Sequence, residues 1–276
     1  MGEVFSKENF AKLGEYIYRK TGIFLEEDKH FEKISKKLAQ RYSALNLDSF
    51  RKYFFKLRFE DNDGKEFQEL INMLTVNETY FFRENHQFEV MVKHILPAID
   101  KQKEKSEHIR ILSSPCSTGE EPYSIAIHLL EDNTIVNKRD IEIVGIDIDT
   151  TVIEKGKKGI YSDRSLHALP PELKSKYFKS KMGYNEIDSS LKDAIELKVA
   201  NVFDKPKMRA LGKFDLIFSR NMLIYFDDAS RKEVAMTFYD ILNPNGYIML
   251  GHAEYMSRIV SVFNPKKFDN VLVYQK

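Results

Sequence analysis

Two adjacent glutamates at the start of a helix are the first residues here that could do chemistry. They lie in Ser113-Ser114-Pro115-Cys116-Ser117-Thr118-Gly119-Glu120-Glu121-Pro122-Tyr123. An apolar run, Ile109 to Leu112, leads in, and a helical pattern through Ile125, Ala126, Leu129 and Leu130 leads out. Strand, tight loop and helix is how an α/β protein presents backbone N–H groups to a ligand at the end of a sheet. This loop carries a single glycine, and its carboxylates would repel a phosphate. It suits a ligand with hydroxyls or positive charge, such as a nucleoside bearing a cationic group. Ser117 with Glu120 and Thr118 with Glu121 also fit a capping box, a purely structural use of the same residues.

Three further strand ends carry polar residues. Asp147 closes the next apolar run, where an acid can accept hydrogen bonds from ribose hydroxyls. Helix capping is the structural alternative, which Asp149 serves equally well. Asn201-Val202-Phe203-Asp204 suits a base edge, and Ser219-Arg220-Asn221 follows Phe214–Phe218. A ribose-binding acid without a phosphate loop favours S-adenosylmethionine over NAD. The histidines show no metal-binding spacing, His252 is read as structural, and Cys116 as a packed loop residue.

The elements that must position these residues change character along the chain. From Ser6 to Thr75 the pattern is helical. Phe10, Leu13, Ile17 and Tyr18 form one face, with Ser6 as cap and Gly22 as stop. Phe31, Ile34, Leu38, Tyr42 and Leu45 form a second face, opposite a basic stripe of Lys29, Lys33, Lys36, Lys37 and Arg41. Such a stripe is either a solvated face or a docking surface for an acidic partner. Tyr80-Phe81-Phe82 cannot all face one core, because consecutive side chains point apart. The next helical pattern is expected to end before Pro97. From Ile109 strands and helices alternate, which predicts a doubly wound α/β sheet with its ligand crevice at the strand C-terminal ends. The Pro170-Pro171 region and the polar segment after it interrupt that rhythm. The expected domains are a helical one over 1–75, a linker over 76–90 that contributes to the cofactor site, and an α/β domain over 91–276 with a small β-insertion at about 173–197.

Composition narrows the classes. The chain has 276 residues and a formal net charge of +1, so no overall field points to nucleic acid. Its single cysteine excludes an internal disulfide and fits a reducing compartment. No apolar run approaches the ~18 residues of a membrane span. The N-terminus lacks the regions of a signal peptide. Met1-Gly2 followed by Ser6 matches a loose myristoylation pattern, read as coincidence. The expected setting is cytoplasmic.

The chain strongly resembles the CheR family of chemoreceptor glutamate methyltransferases over essentially its whole length. The matching motifs are Thr75-Val76-Asn77-Glu78-Thr79-Tyr80-Phe81-Phe82-Arg83, Cys116-Ser117-Thr118-Gly119-Glu120-Glu121-Pro122-Tyr123-Ser124 and Asp147-Ile148-Asp149. Asn201-Val202-Phe203, Ser219-Arg220-Asn221-Met222-Leu223-Ile224-Tyr225-Phe226 and Gly251-His252-Ala253-Glu254 match too. The resemblance implies methyl transfer from S-adenosylmethionine to receptor glutamates, leaving S-adenosylhomocysteine. By motif position it implies that Asn77, Thr79 and Arg83 line the methionine end and that Glu121 contacts the cofactor. Asp147 would hold the ribose, Asn201 and Val202 the adenine, and Arg220 and Asn221 would close the site. Arg83 and Tyr225 would stand near the transferring methyl. The basic stripe would face the acidic cytoplasmic helices of a receptor, and the insertion would be a β-subdomain. In some relatives that subdomain tethers to a receptor C-terminal pentapeptide; here the stretch is short and tethering is not expected. The protein is expected to act as a monomer, without nucleic acid or membrane insertion.

The chemistry agrees with these residue types. A glutamate side chain is already anionic at neutral pH, since its ordinary pKa is about 4.3, so no general base is required. The need is in-line positioning in a dry site. Competing possibilities are a non-catalytic S-adenosylmethionine-binding scaffold or sensor, and a methyltransferase acting on RNA or a small molecule.

Overall fold

The computed structural model describes residues 5–276, so the Met1-Gly2 end of the acylation pattern lies outside the described residues. Two compact units form. The first comprises the chain up to Val76 together with Tyr225–Ser230; the second comprises Asn77–Ile224 and Arg231–Lys276.

The first unit is helical, as its 3.6-residue pattern predicts. Helix α1 (Lys7–Thr21) starts where the Ser6 side chain accepts the Asn9 N–H, and stops at Gly22, which adopts φ 72°. Phe10, Leu13 and Ile17 are buried along its inner face. Burying each such side chain contributes about 1.5–3 kcal/mol. Helix α2 spans Glu27–Ala44. Helix α3 (Phe50–Phe55) runs into a π-helical turn at Lys56–Glu60, and α4 covers Lys65–Leu74. Tyr16 packs edge-on against Phe54 and Phe67 and ties α1 to both later helices. The Tyr225–Ser230 segment joins this unit through backbone pairing of Phe226 with Ile23 and a bond from the Tyr18 hydroxyl to Asp227.

In the second unit the first helix does not end before Pro97. Helix α5 (Asn85–Val90) passes through a π-helical turn, Met91–Ile95, into α6 (Leu96–Asp100). Pro97 lies in the first turn of α6, where its missing N–H costs little because the π turn has already interrupted the regular bonding.

Alternating elements follow: β1 (Ile109–Ser113), α7 (Glu120–Asp132), β2 (Ile141–Asp147), α8 (Thr150–Lys158), β3 (Ile160–Tyr161) and α9 (Pro171–Tyr177). Next come β4 (Phe178–Lys181), β5 (Tyr184–Ile187), α10 (Ser189–Asp193), β6 (Ile195–Val199), α11 (Lys205–Ala210) and β7 (Phe214–Ser219). The chain closes with α12 (Asp228–Ile241), β8 (Leu242–Leu250), β9 (Asn264–Phe268) and β10 (Val271–Gln275). The main sheet has seven strands in the order β6-β2-β1-β7-β8-β10-β9. Strands β6, β2, β1, β7 and β8 are parallel; β10 runs antiparallel between β8 and β9, so β9 shares the direction of the other five. Strand order reverses between β1 and β7, which places a ligand crevice at their C-terminal ends.

The Pro244-Asn245-Gly246 turn lies within β8 and interrupts it. Pairing with β7 jumps from Phe214↔Leu242 to Leu216↔Tyr247, so the turn is a bulge within the strand. The small second sheet, β3-β5-β4, overlaps the expected insertion without sharing its limits. It begins at Ile160, and Ile195 already belongs to the main sheet. Phe81 seals it, packing edge-on against Tyr161 and Phe178.

Candidate active site

The loop after β1 folds differently from a capping box. Gly119 adopts φ 93° and is itself the N-cap of α7, without a side-chain cap bond. A Cβ there would stand 2.8 Å from the Tyr123 ring, so glycine is required on two counts. The left-handed turn leaves Ser117 and Thr118 upstream of the helix start. The Thr118 hydroxyl therefore donates to the Glu120 carboxylate at 2.6 Å. Glu120 is 2% exposed, and burial raises its pKa. Glu121 accepts from the Ser113 hydroxyl at 2.8 Å and faces Arg220 Nη1 at 3.1 Å. Burial raises the Glu121 pKa, while Arg220 and, more weakly, Arg83 oppose the rise. Glu120 is therefore not a cap, and Glu121 is part of an internal ion pair that faces the β1–β7 crevice.

The two acids after β2 divide their work. Asp149 caps α8, taking the N–H groups of Thr151 and Val152, and its other oxygen accepts from Asn77 Nδ2 at 2.8 Å. Asp147 accepts the N–H groups of Ser117 at 2.9 Å and Asp149 at 3.0 Å. It is buried, and desolvation raises its pKa to about 6. A carboxylate takes about four hydrogen bonds, so capacity remains for a ligand hydroxyl. Just past β6, the Ala200 N–H donates to the Asp147 carbonyl, which sets Asn201 and Val202 beside the same crevice. Asn201 Oδ1 accepts the Phe203 N–H at 3.0 Å and closes its own loop, and Val202 is buried.

Arg220, at the end of β7, ties the crevice together. Its side chain is 3% exposed and lies over the Phe88 ring. Besides Glu121, it donates to the carbonyl of Arg83 and stands 3.7 Å from Glu84. Asn221 adopts φ 58°. Its N–H donates at 2.8 Å to Glu254, the last residue of the Gly251-His252-Ala253-Glu254 motif. Arg83 Nη1 donates to the Glu78 carbonyl at 3.0 Å, and Thr79 is half-buried nearby in sequence. Tyr225 belongs to the first unit, where its hydroxyl donates to the carbonyl of Val76.

The second unit thus sets Glu84 and Glu121 beside Arg220, with Glu120, Asp147, Asp149 and Glu254 in or next to the loops at the neighbouring strand ends. Carboxylates outnumber guanidiniums, which disfavours a phosphate and favours a cationic ligand. The hydroxyls of Ser114, Ser117 and Ser219 are buried at these strand ends without a protein partner. Orphaned donors and a buried acid with spare acceptor capacity fit a hydroxyl-bearing nucleoside. Among the described residues no cluster of metal-ligating side chains forms. Burial pushes the Cys116 thiol well above its ordinary value, so it is inert packing. His252 is exposed.

The basic stripe of α2 does not present one face. At about 100° per residue, Lys33 and Lys36 stay within about 40° of Lys29, while Lys37 and Arg41 drift about 80° and 120° round the helix. Lys29, paired with Glu26, and Lys33 and Lys36 are exposed. Lys37 donates to the Met73 carbonyl, and burial, with Lys33 second, lowers its pKa. Arg41 forks onto Glu66 of α4, with Nε 2.8 Å from Oε1. Those two cations hold the helical unit together and are withdrawn from the expected docking surface.

Known proteins agree with this geometry. A family model described as "CheR methyltransferase, all-alpha domain" matches residues 8–75, and one described as "CheR methyltransferase, SAM binding domain" matches residues 77–272. Chemotaxis protein methyltransferase 2 of Vibrio cholerae is 43% identical over 274 residues, covering 99% of this chain and 94% of that protein. The chemotaxis protein methyltransferase of Salmonella typhimurium is 34% identical over 94% of this chain and 88% of its own. That of Escherichia coli is 33% identical over 92% of this chain and 86% of its own. Two domain matches, full-length relatives and a phosphate-repelling nucleoside crevice on a seven-stranded sheet lead to one conclusion: the chain belongs to the CheR family of S-adenosylmethionine-binding chemotaxis methyltransferases.

Proposed function

We propose that this protein methylates glutamate side chains in the cytoplasmic helices of chemoreceptors, producing glutamate methyl esters and S-adenosylhomocysteine for chemotactic adaptation. The observation that carries the proposal is Arg83, held by its backbone to Arg220 at the rim of a carboxylate-rich nucleoside site. The relatives' printed names, chemotaxis protein methyltransferase, support the choice of acceptor. Bound S-adenosylmethionine supplies an electrophilic methyl on a sulfonium. Asp147 would hold the ribose hydroxyls and Asn201 with Val202 the adenine. Asn77, Thr79 and Arg83 would line the methionine end, Glu121 would contact the cofactor, and Arg220 and Asn221 would close the site. Arg83 orients the incoming carboxylate through a forked hydrogen bond, and Tyr225 is proposed as the second catalytic residue. A carboxylate acceptor needs no base, consistent with the inert Cys116 and the exposed His252.

Lys29, Lys33 and Lys36 are proposed to dock the acidic receptor helices, with the protein acting as a cytoplasmic monomer. Among the described residues no helix is long and apolar enough to cross a membrane. The test is to incubate protein, S-adenosylmethionine and receptor cytoplasmic fragments, then map modified peptides by mass spectrometry. Methyl groups on glutamates are expected; methylation confined to other residue types, or none on any receptor, would overturn the proposal.

A further inference from the structure

Glu254 is a buried carboxylate with no electrostatic partner of opposite sign among its hydrogen bonds. It is 8% exposed. It sits at the end of a tight turn after β8, closed by its own N–H on the Gly251 carbonyl at 2.9 Å. Its oxygens accept three backbone N–H groups: Asn221 at 2.8 Å and Gly251 at 3.0 Å on one oxygen, Leu223 at 2.8 Å on the other. Two of these donors belong to the loop after β7 and one to the loop after β8. The contact is tight: a Cβ on Gly251 would come within 3.0 Å of both Asn221 and Glu254.

Asn221 has a left-handed backbone, φ 58°, directly after Arg220. A charge-assisted bond to its N–H fixes that conformation, and with it the direction in which Arg220 leaves the strand. Arg220 then reaches Glu121 and the Arg83 carbonyl. A second strut comes from Gln87, whose amide donates to the Leu250 carbonyl and to Glu84.

We propose that Glu254 is a positioning residue for cofactor binding: it clamps the loops after β7 and β8 so that Arg220 and Asn221 close the S-adenosylmethionine site. This rests on the assignment of Arg220 and Asn221 to the cofactor site. Glu254 acts through Arg220 and Asn221, by way of the N–H groups it holds.

The test uses the full chain and S-adenosylhomocysteine as probe, titrated by calorimetry, with thermal melting alongside. Glu254→Ala leaves the three N–H groups without their acceptor and is expected to weaken binding about tenfold or more. Glu254→Gln keeps one acceptor oxygen but turns an amide donor toward an N–H, and should fall between Ala and the parent. A purely structural role would lower the melting temperature while folded protein bound with unchanged affinity; that result overturns the proposal. Hydrogen exchange in the parent protein gives a check independent of any variant. The Asn221 and Leu223 amides should exchange slowly before any ligand is added, and fast exchange there would equally overturn it. No methyl acceptor is present, so failure here leaves the glutamate proposal standing, and failure of that proposal would not alter these titrations.

Discussion

Removing the Arg220 guanidinium should uncover a buried acid. In Arg220→Met the methylene stem over Phe88 is largely kept, but Glu121 loses its ion-pair partner and retains the Ser113 hydroxyl. Both side chains are buried enough for this to matter: 3% exposed for Arg220 and 12% for Glu121. Breaking such a pair costs about 3–5 kcal/mol, reduced here to about 2–4 kcal/mol because Ser113 and proton uptake compensate in part. At about 2–4 °C per kcal/mol for a unit of this size, the melting temperature should fall by about 5–15 °C at neutral pH. The pH dependence follows from the sign of the shift. Glu121 already has its pKa raised by burial, and losing Arg220 raises it further. A carboxyl with a raised folded-state pKa is tolerated while protonated and becomes costly as pH rises through that pKa. The deficit should therefore be small in mild acid and grow toward neutrality. Adding Glu121→Gln removes the charge and should recover most of the stability without recovering S-adenosylhomocysteine affinity. Melting and calorimetry from mild acid to slightly above neutral pH read both quantities. A variant as stable as its parent, a deficit independent of pH, or no recovery in the double variant would refute the reasoning.

Asp147, with its pKa raised to about 6, should lose ribose binding as it protonates, so S-adenosylhomocysteine affinity should drop below about pH 6; Asp147→Asn should be weak at every pH, and a flat parent profile would contradict this. Arg41→Ala should destabilise the helical unit by about 2–3 kcal/mol, because it strands the buried Glu66 carboxylate. Lys33→Glu with Lys36→Glu should leave melting nearly unchanged and weaken binding to receptor fragments; the reverse pattern would mean the exposed lysines are only a solvated face. Cys116 in the native protein should resist iodoacetamide at about pH 8 and react once the chain is unfolded in urea, whereas fast native alkylation would show the thiol is neither buried nor neutral.

Where local chemistry decides the outcome, the sequence reads well. Ser6 and Gly22 bound α1 because cap and stop need only neighbouring residues. The strand ends at Ser113, Asp147 and Ser219 are visible because buried parallel strands are near-continuous apolar runs. Where a residue's role depends on what packs beside it, the sequence misleads. Strand β9, Asn264-Pro265-Lys266-Lys267-Phe268, is almost wholly exposed and shows no alternation; only its pairing with β10 makes it a strand. Its lysines and proline suit an edge strand. Lys37 and Arg41 share the spacing of the outer lysines, yet the slow drift of that spacing carries them onto α4. The apparent capping box yields to Gly119, because left-handed backbone at Ser117 and Gly119 displaces the helix start past Ser117 and Thr118. Glu254 is legible as an acid in a motif, but its three N–H partners come from loops that only the sheet brings together.

The most direct measurement follows the transferred methyl itself. With S-adenosylmethionine labelled in its methyl group and receptor cytoplasmic fragments as acceptor, the label should enter the receptor and leave as volatile methanol in mild base, as a carboxyl ester must. Arg83→Ala should abolish this transfer while largely preserving the fold. Label that survives base, or transfer that proceeds at the parent rate without Arg83, would contradict glutamate esterification at this site.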